Sequence, residues 1–335
     1  MGLLLEGKWH TDWYDTTSTK GEFIRKDAQF RQTISTDKEK TPFKPEAGRY
    51  HLFVSLACPW AHRTLIMRSL KKLEDVISIS VVEPEMLDDG WEITSLELSK
   101  MNAETVRGLG DVNYIHQIYT KANSLYTGRV TVPILWDKKT SSIVNNESSE
   151  ILRILNFEFN DFTTVKTDYY PESLRGEIDE VNALVYSNIN NGVYKTGFAT
   201  TQQAYEVAFN ALFETLESIE LRLDTQRYLV GNSITEADWR LFTTLIRFDA
   251  VYYGHFKTNL KRIEDYPNLS NYLRDLYQQE GVVETVNFEH IKTHYYYSHE
   301  MINPTRIVPL GPVINYMAGH DRNRFDVPEL KWRLS

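Results

Sequence analysis

At 335 residues, with 41% hydrophobic and 13% aromatic side chains, the chain is long enough for two domains and apolar enough to bury a core in each. Thirty-seven lysines and arginines against 46 aspartates and glutamates leave a net charge of −9, which argues against holding nucleic acid or an anionic lipid surface through counterion release. No apolar run reaches bilayer-spanning length, the opening MGLLLEGKWH lacks the basic and long apolar stretches of a secretory leader, and Glu6 stands where a myristoylation signal needs Ser or Thr, so a cytoplasmic, membrane-free protein is expected.

Residues 1–45 are charged and rich in Thr, Lys and Asp, and read as an extended arm around the first domain, punctuated at its end by Pro42, Pro45 and Gly48. An α/β pattern follows over 46–160. Tyr50 to Ala57 is apolar and strand-like; Pro59 to Leu73 has Ile66, Leu70 and Leu73 at helical spacing; Val76 to Val82 alternates and is β-branched. Residues 84–113 read as a long functional loop and Tyr114 to Tyr126 as a helix. Val130 to Trp136 and Ser142 to Val144 form two short strands about the Asp137–Thr140 turn, and Glu147 to Phe157 forms a closing helix. The order β-α-β-α-β-β-α, a crossover and then a hairpin, is thioredoxin-like. Pro133 is anomalous in a central strand unless a cis-proline turn leads into it.

Strand patterns vanish after about residue 172. Phe209, Leu212, Leu216, Ile219 and Leu223 lie at three- and four-residue spacing, Trp239, Phe242, Leu245 and Ile246 repeat the pattern, and Tyr266 to Gln279 is a further helix. Thr235 and Asp238 form the ends of a capping box. Residues 170–300 thus read as an all-helical domain, and 301–335, with Pro304, Pro309 and Pro312, as an irregular tail.

Cys58 is the only cysteine, so no internal disulfide is possible. A lone cysteine is more often a small buried hydrophobe than a nucleophile. Its setting, LACPWAHR, overturns that expectation: Pro59 suits a first helical position, which leaves Cys58 at the N-cap, where free N–H groups and the helix dipole favour a thiolate. His62 and Arg63 stand one turn on as further positive charge. Ala61 occupies the position of a thioredoxin's second cysteine, so a disulfide at Cys58 must be resolved by an external thiol, which in cytoplasm points to glutathione.

CPWAHR, then DDGW, TVPILWD, NNESSEI and YYYSHEMINPTRIVPLGP, in this order, resemble the glutathionyl-hydroquinone reductases, the Xi-class glutathione transferases, from about residue 40 to about residue 315. The resemblance implies a thioredoxin-like N-terminal domain, an all-helical glutathione-transferase C-terminal domain, and a homodimer. It also implies that Cys58 attacks the glutathione sulfur of an aromatic glutathionyl-hydroquinone, and that a second glutathione then releases glutathione disulfide. Val132, before Pro133, is expected to pair through its backbone with glutathione. Ser148 and the N–H groups around it suit the γ-glutamyl carboxylate, and Glu147 its ammonium. Arg129 stands between a glycyl-carboxylate partner and an ordinary surface arginine. Trp91 resembles the family tryptophan that packs on glutathione, and Trp60 reads as core or cleft wall. Tyr194, Tyr295 and Tyr296 are assigned to the hydroquinone pocket, Tyr194 and Tyr296 as proton donors with Tyr295 the reserve for Tyr296.

Two other readings stand beside this one. An omega-like thiol transferase or dehydroascorbate reductase shares the Cys58 chemistry without needing the tail tyrosines. A non-catalytic adaptor of the same fold usually loses the nucleophile or the glutathione contacts, and this chain keeps both. His290, His294 and His299 invite a metal site, but with no cysteine nearby and no HExxH a polar helix face is expected, and no metal.

Overall fold

The computed structural model describes residues 2–37, 39–93 and 112–325. Strands β1 (Leu3–Leu5) and β2 (Lys8–His10) form a hairpin in the N-terminal arm, and β3 (Tyr50–Val54) opens the first domain. Helix α1 (Pro59–Leu70), β4 (Ser78–Val81), α2 (Ile115–Ala122), β5 (Gly128–Arg129), β6 (Ile134–Asp137), β7 (Ser142–Asn145) and α3 (Ser148–Phe157) follow. The main sheet runs β4-β3-β6-β7, with β3 parallel to β4 and antiparallel to β6, and β6 antiparallel to β7. That is the thioredoxin-like order expected from the pattern. Every residue of β3 and β6 is buried, as befits central strands covered on both faces. The Val132–Pro133 peptide is cis and leads into β6.

The arm departs from expectation. It is not a simple extension around the first domain: β1 pairs with both β2 and β5, building a small second sheet. Trp9 of β2 packs on Gly90 in the DDGW turn and donates its indole N–H to the Asp88 carbonyl at 2.9 Å. Gly90 has φ +78°, and a Cβ there would stand 2.9 Å from the Trp9 ring, so glycine is required twice over. The rest of the expected 84–113 loop, from 94 to 111, lies outside the described residues.

The second half is helical: α4 (Arg175–Val185), α5 (Gly192–Gly197), α6 (Gln202–Thr225), α7 (Glu236–Arg247), α8 (Pro267–Tyr277) and α9 (Phe288–Ser298), with π-turns after α4 and α7. The Thr235–Asp238 capping box starts α7, which is buried along its whole length. Helix α1 packs on α3 within the first domain and on α7 of the second, so one helix belongs to both cores. The described tail from 301 is irregular until a short turn at Arg322–Phe325.

Candidate active site

Cys58 is the N-cap of α1, with extended backbone at φ −75° and ψ 121° and Pro59 at the first helical position. Its Sγ lies at the base of a cleft holding about 1150 Å³ of open space between the two domains. Cys58 is only 7% exposed, and its thiol stands 3.5 Å from the Val132 carbonyl, to which it donates.

This burial overturns the expected lowering of the thiol's pKa. Loss of solvent pushes Cys58 above its ordinary value; the N–H groups of Ala61 and Trp60, then the Arg247 and Arg25 cations, pull the other way without prevailing. Donation to the Val132 carbonyl favours the protonated form as well.

His62 and Arg63 do not supply the expected charge. His62 is fully buried; its Nδ1 stands 3.0 Å from Arg247 Nη1, which can only donate, and its Nε2 2.8 Å from Thr285 Oγ1. The bonding assigns the proton to Nε2, and burial keeps the ring neutral. Arg63 runs between the domains to Asn190 Oδ1 at 2.7 Å and Ser148 Oγ at 3.4 Å. A helix buried on all sides turns both residues into the domain interface.

Sequence reasoning missed the cations that do face the sulfur. Arg247, at the end of α7, donates from Nε to the Ala57 carbonyl at 2.8 Å and from Nη2 to the Leu56 carbonyl at 3.0 Å, fixing the loop that presents Cys58. Arg25 comes from the arm, where no periodic pattern marks it.

Glu147 is the N-cap of α3 and accepts from the Ser149 N–H at 3.0 Å; with the buried Ser148 it lines the cleft beside Cys58. Trp91 also lines the cleft, stacked on His294 with ring centroids 4.6 Å apart. Trp60 is a cleft wall. Arg129 lines the cleft too, but its guanidinium donates to the carbonyls of Asp12 and Trp13 and lies 4.2 Å over the Tyr14 ring. It clamps the arm, a third role beside the two weighed from sequence.

The opposite wall carries phenols. The Tyr194 hydroxyl is 2.6 Å from that of Tyr295, which is 3.0 Å from that of Tyr252. Tyr194 and Tyr295 line the cleft. Tyr296 does not: its hydroxyl donates to the Ala250 carbonyl at 3.4 Å and its ring packs on His255. Adjacent helical residues point about 100° apart, so only one of the pair can face the cleft. The phase was available: Ile291, His294, Tyr295 and Ser298 form the i, i+3, i+4, i+7 stripe. Tyr252, the third phenol, was missed altogether.

His294 holds the Pro84 carbonyl through Nδ1 at 3.0 Å, and His299 Nδ1 meets His255 Nε2 at 3.1 Å. His290 does not line the cleft. Among the described residues no group of three or more His, Cys, Asp or Glu side chains could hold a metal ion.

Cys58 and a carboxylate-serine pair at a helix start thus face two phenols across one cleft. Family models describing the glutathione S-transferase N-terminal and C-terminal domains match residues 57–156 and 202–275. The chain is 53% identical to the glutathionyl-hydroquinone reductase PcpF of Sphingobium chlorophenolicum, covering 93% of this chain and 96% of that protein. The glutathione-bound structure of YqjG from Escherichia coli K-12 superposes with a TM-score of 0.85 at 47% identity, covering 96% of this chain and 99% of that one. The Xi-class transferase of Natrialba magadii gives 0.87 at 45% identity, covering 97% of each chain. The chain belongs to the glutathione S-transferase family, within the Xi class and alongside the glutathionyl-hydroquinone reductases.

Proposed function

We propose that the protein reduces S-glutathionyl-hydroquinones to hydroquinones at the expense of glutathione, with Cys58 as nucleophile. The observation that carries this is the single cleft that joins the Cys58 thiol, the start of α3 and the Tyr194–Tyr295 phenol pair. Glutathione is a substrate here. Its cysteinyl backbone lies along Val132, its γ-glutamyl carboxylate takes Ser148 and the α3 N–H groups, its ammonium takes Glu147, and Trp91 packs on it. Arg129 acts by holding the arm that walls the cleft.

In the first half-reaction Cys58, protonated at rest, releases its proton to solvent and attacks the glutathione sulfur as the thiolate. The S–S bond forms, the sulfur–aryl carbon bond breaks, and its electron pair moves to the ring carbon. That leaving group is far poorer than a thiolate, so the ring must pass through a keto tautomer or take a proton as the bond breaks. Tyr194 and Tyr295, whose paired hydroxyls support this role, guide that proton at the ring oxygen. In the second half-reaction a glutathione thiolate attacks the Cys58–glutathione disulfide; glutathione disulfide leaves and the Cys58 thiolate returns. The proton released by that glutathione balances the one gained by the ring.

Two further parts of the proposal are a cytoplasmic setting, where reduced glutathione can resolve Cys58, and a homodimeric state, general among such folds. Sedimentation at the mass of one chain would overturn the second. The chemistry is tested by incubating the protein with a glutathionyl-hydroquinone and following hydroquinone release and intact protein mass. One glutathionyl adduct on Cys58 and abolished release in Cys58→Ser are expected; retained release sinks the assignment.

A further inference from the structure

Arg25 reaches the cleft from the arm and belongs to neither domain. It is partly buried, and its Nε donates to Asn191 Oδ1 at 3.0 Å, which ties the arm to the helical domain. The guanidinium carbon stands 5.0 Å from the ring centroids of both Trp60 and Tyr194, and 5.4 Å from that of Phe23. Three aromatic faces attract a cation but accept few of its N–H donors. Among the described residues the two terminal nitrogens make no hydrogen bond and no carboxylate stands within ion-pair distance. Asp27 and Glu147 line the same cleft without pairing with it. Arg129 and Arg63, the neighbouring guanidiniums, have their forks taken by backbone carbonyls and by Asn190.

An arginine held among aromatic rings, with its terminal nitrogens unpaired and lining a cleft, is suited to an anionic oxygen. Its position picks out which oxygen. The start of α3 takes the γ-glutamyl end of glutathione, whereas Arg25 lies over Trp60 and Tyr194, where an aromatic ring would stack. We propose that Arg25 is a specificity-determining residue that receives an anionic oxygen carried by the aromatic ring of the substrate, a ring phenolate or a ring-borne carboxylate. This rests on the reductase reading above. Neutral hydroquinones then bind less tightly than their anionic counterparts, and the arm sets the preference.

The test measures binding rather than turnover, so its failure differs from failure of the reductase reading. Full-length Cys58→Ala protein is titrated calorimetrically with matched S-aryl glutathiones: an unsubstituted hydroquinone, a carboxylated one, and one with an acidic phenol taken through its own pKa. The first comparison isolates a carboxylate and the pH series a phenolate. We expect tighter binding of the anionic member in at least one arm, and a roughly ten- to a hundredfold loss of that preference on Arg25→Gln. Arg25→Lys should keep part of it, which shows that charge rather than arm packing is responsible. Equal weakening of neutral and anionic ligands by Arg25→Gln, or weaker binding of glutathione itself, would overturn the proposal. If wild-type protein releases no hydroquinone while the binding preference persists, the reductase reading fails and the anion site stands.

Discussion

Replacing Tyr295 with phenylalanine removes the middle member of a three-phenol chain and separates its structural from its chemical role. Each of its neighbours loses the bond to Tyr295: the Tyr194 hydroxyl at 2.6 Å and the Tyr252 hydroxyl at 3.0 Å. Tyr194 borders the cleft, so water can replace the lost bond. Tyr252 is fully buried but keeps the Tyr194 hydroxyl as a second neighbour, so the lost bond costs about 0.5–1.5 kcal/mol of stability. Burial pushes the Tyr295 phenol well above its ordinary pKa, so it stays a donor throughout the assay range. Losing one proton donor beside the bound ring, from which the substrate displaces water, is worth roughly a hundredfold in rate. The assay pairs two substrates: a glutathionyl-hydroquinone, whose aryl leaving group needs that proton, and a small glutathione mixed disulfide, whose thiolate leaving group does not. Tyr295→Phe, and likewise Tyr194→Phe, should cut hydroquinone release about a hundredfold and change disulfide reduction little. Tyr296→Phe, outside the cleft, should alter neither. An equal fall in both reactions would assign the phenols to packing or glutathione binding, and no fall in either would refute the proton-guiding role.

Alkylation of Cys58 in the ligand-free protein should accelerate as pH rises beyond the ordinary thiol range, because burial holds the thiol protonated; a plateau already reached at mildly acidic pH would contradict this. Glu147→Ala and Ser148→Ala should each raise the glutathione Michaelis constant roughly ten- to a hundredfold, as expected for charge-assisted hydrogen bonds of about 1.5–3 kcal/mol, and unchanged constants would move the γ-glutamyl site elsewhere. Arg49 grips the buried Asp137 at 2.8 and 2.7 Å, and Asp137→Ala should lose about 3–5 kcal/mol of stability in denaturant titration. Burial, the largest single influence, would raise the Asp137 pKa, but the Arg49 bonds together with those from Thr140 and the Lys139 N–H outweigh it and the folded value is lowered; the site's stabilisation is therefore full above the ordinary aspartate range and lost as pH falls through the folded value. A wild-type minus Asp137→Ala stability difference that grows on acidification would refute that sign.

The parts of this site that follow local rules were legible in the sequence. Cys58 before Pro59, the strand-to-helix step, the proline ahead of β6 and the Thr235–Asp238 box each need only a few adjacent residues, and each stands where the pattern put it. What failed was orientation across long separations. Nothing near Arg25 or Arg247 signals that residues 33 before and 189 after Cys58 would meet its loop. His62 and Arg63 look like charge beside the thiol because sequence shows only proximity along the chain. In an α1 buried on all faces, their side chains instead complete the domain interface. The net effect on the thiol was misread for the same reason: a helix N-terminus is local, whereas the closing of the cleft over it is not.

The grip of Arg247 on the Leu56 and Ala57 carbonyls has a consequence for domain exchange. A side chain from the second half of the gene shapes the backbone that carries the reactive sulfur, so the halves are not interchangeable parts. Grafting the first 160 residues onto the helical half of a distant transferase would preserve the sheet and the motif yet leave two inward-facing carbonyls without their donor. A functional chimera therefore needs a helical half that brings an arginine to the same two carbonyls.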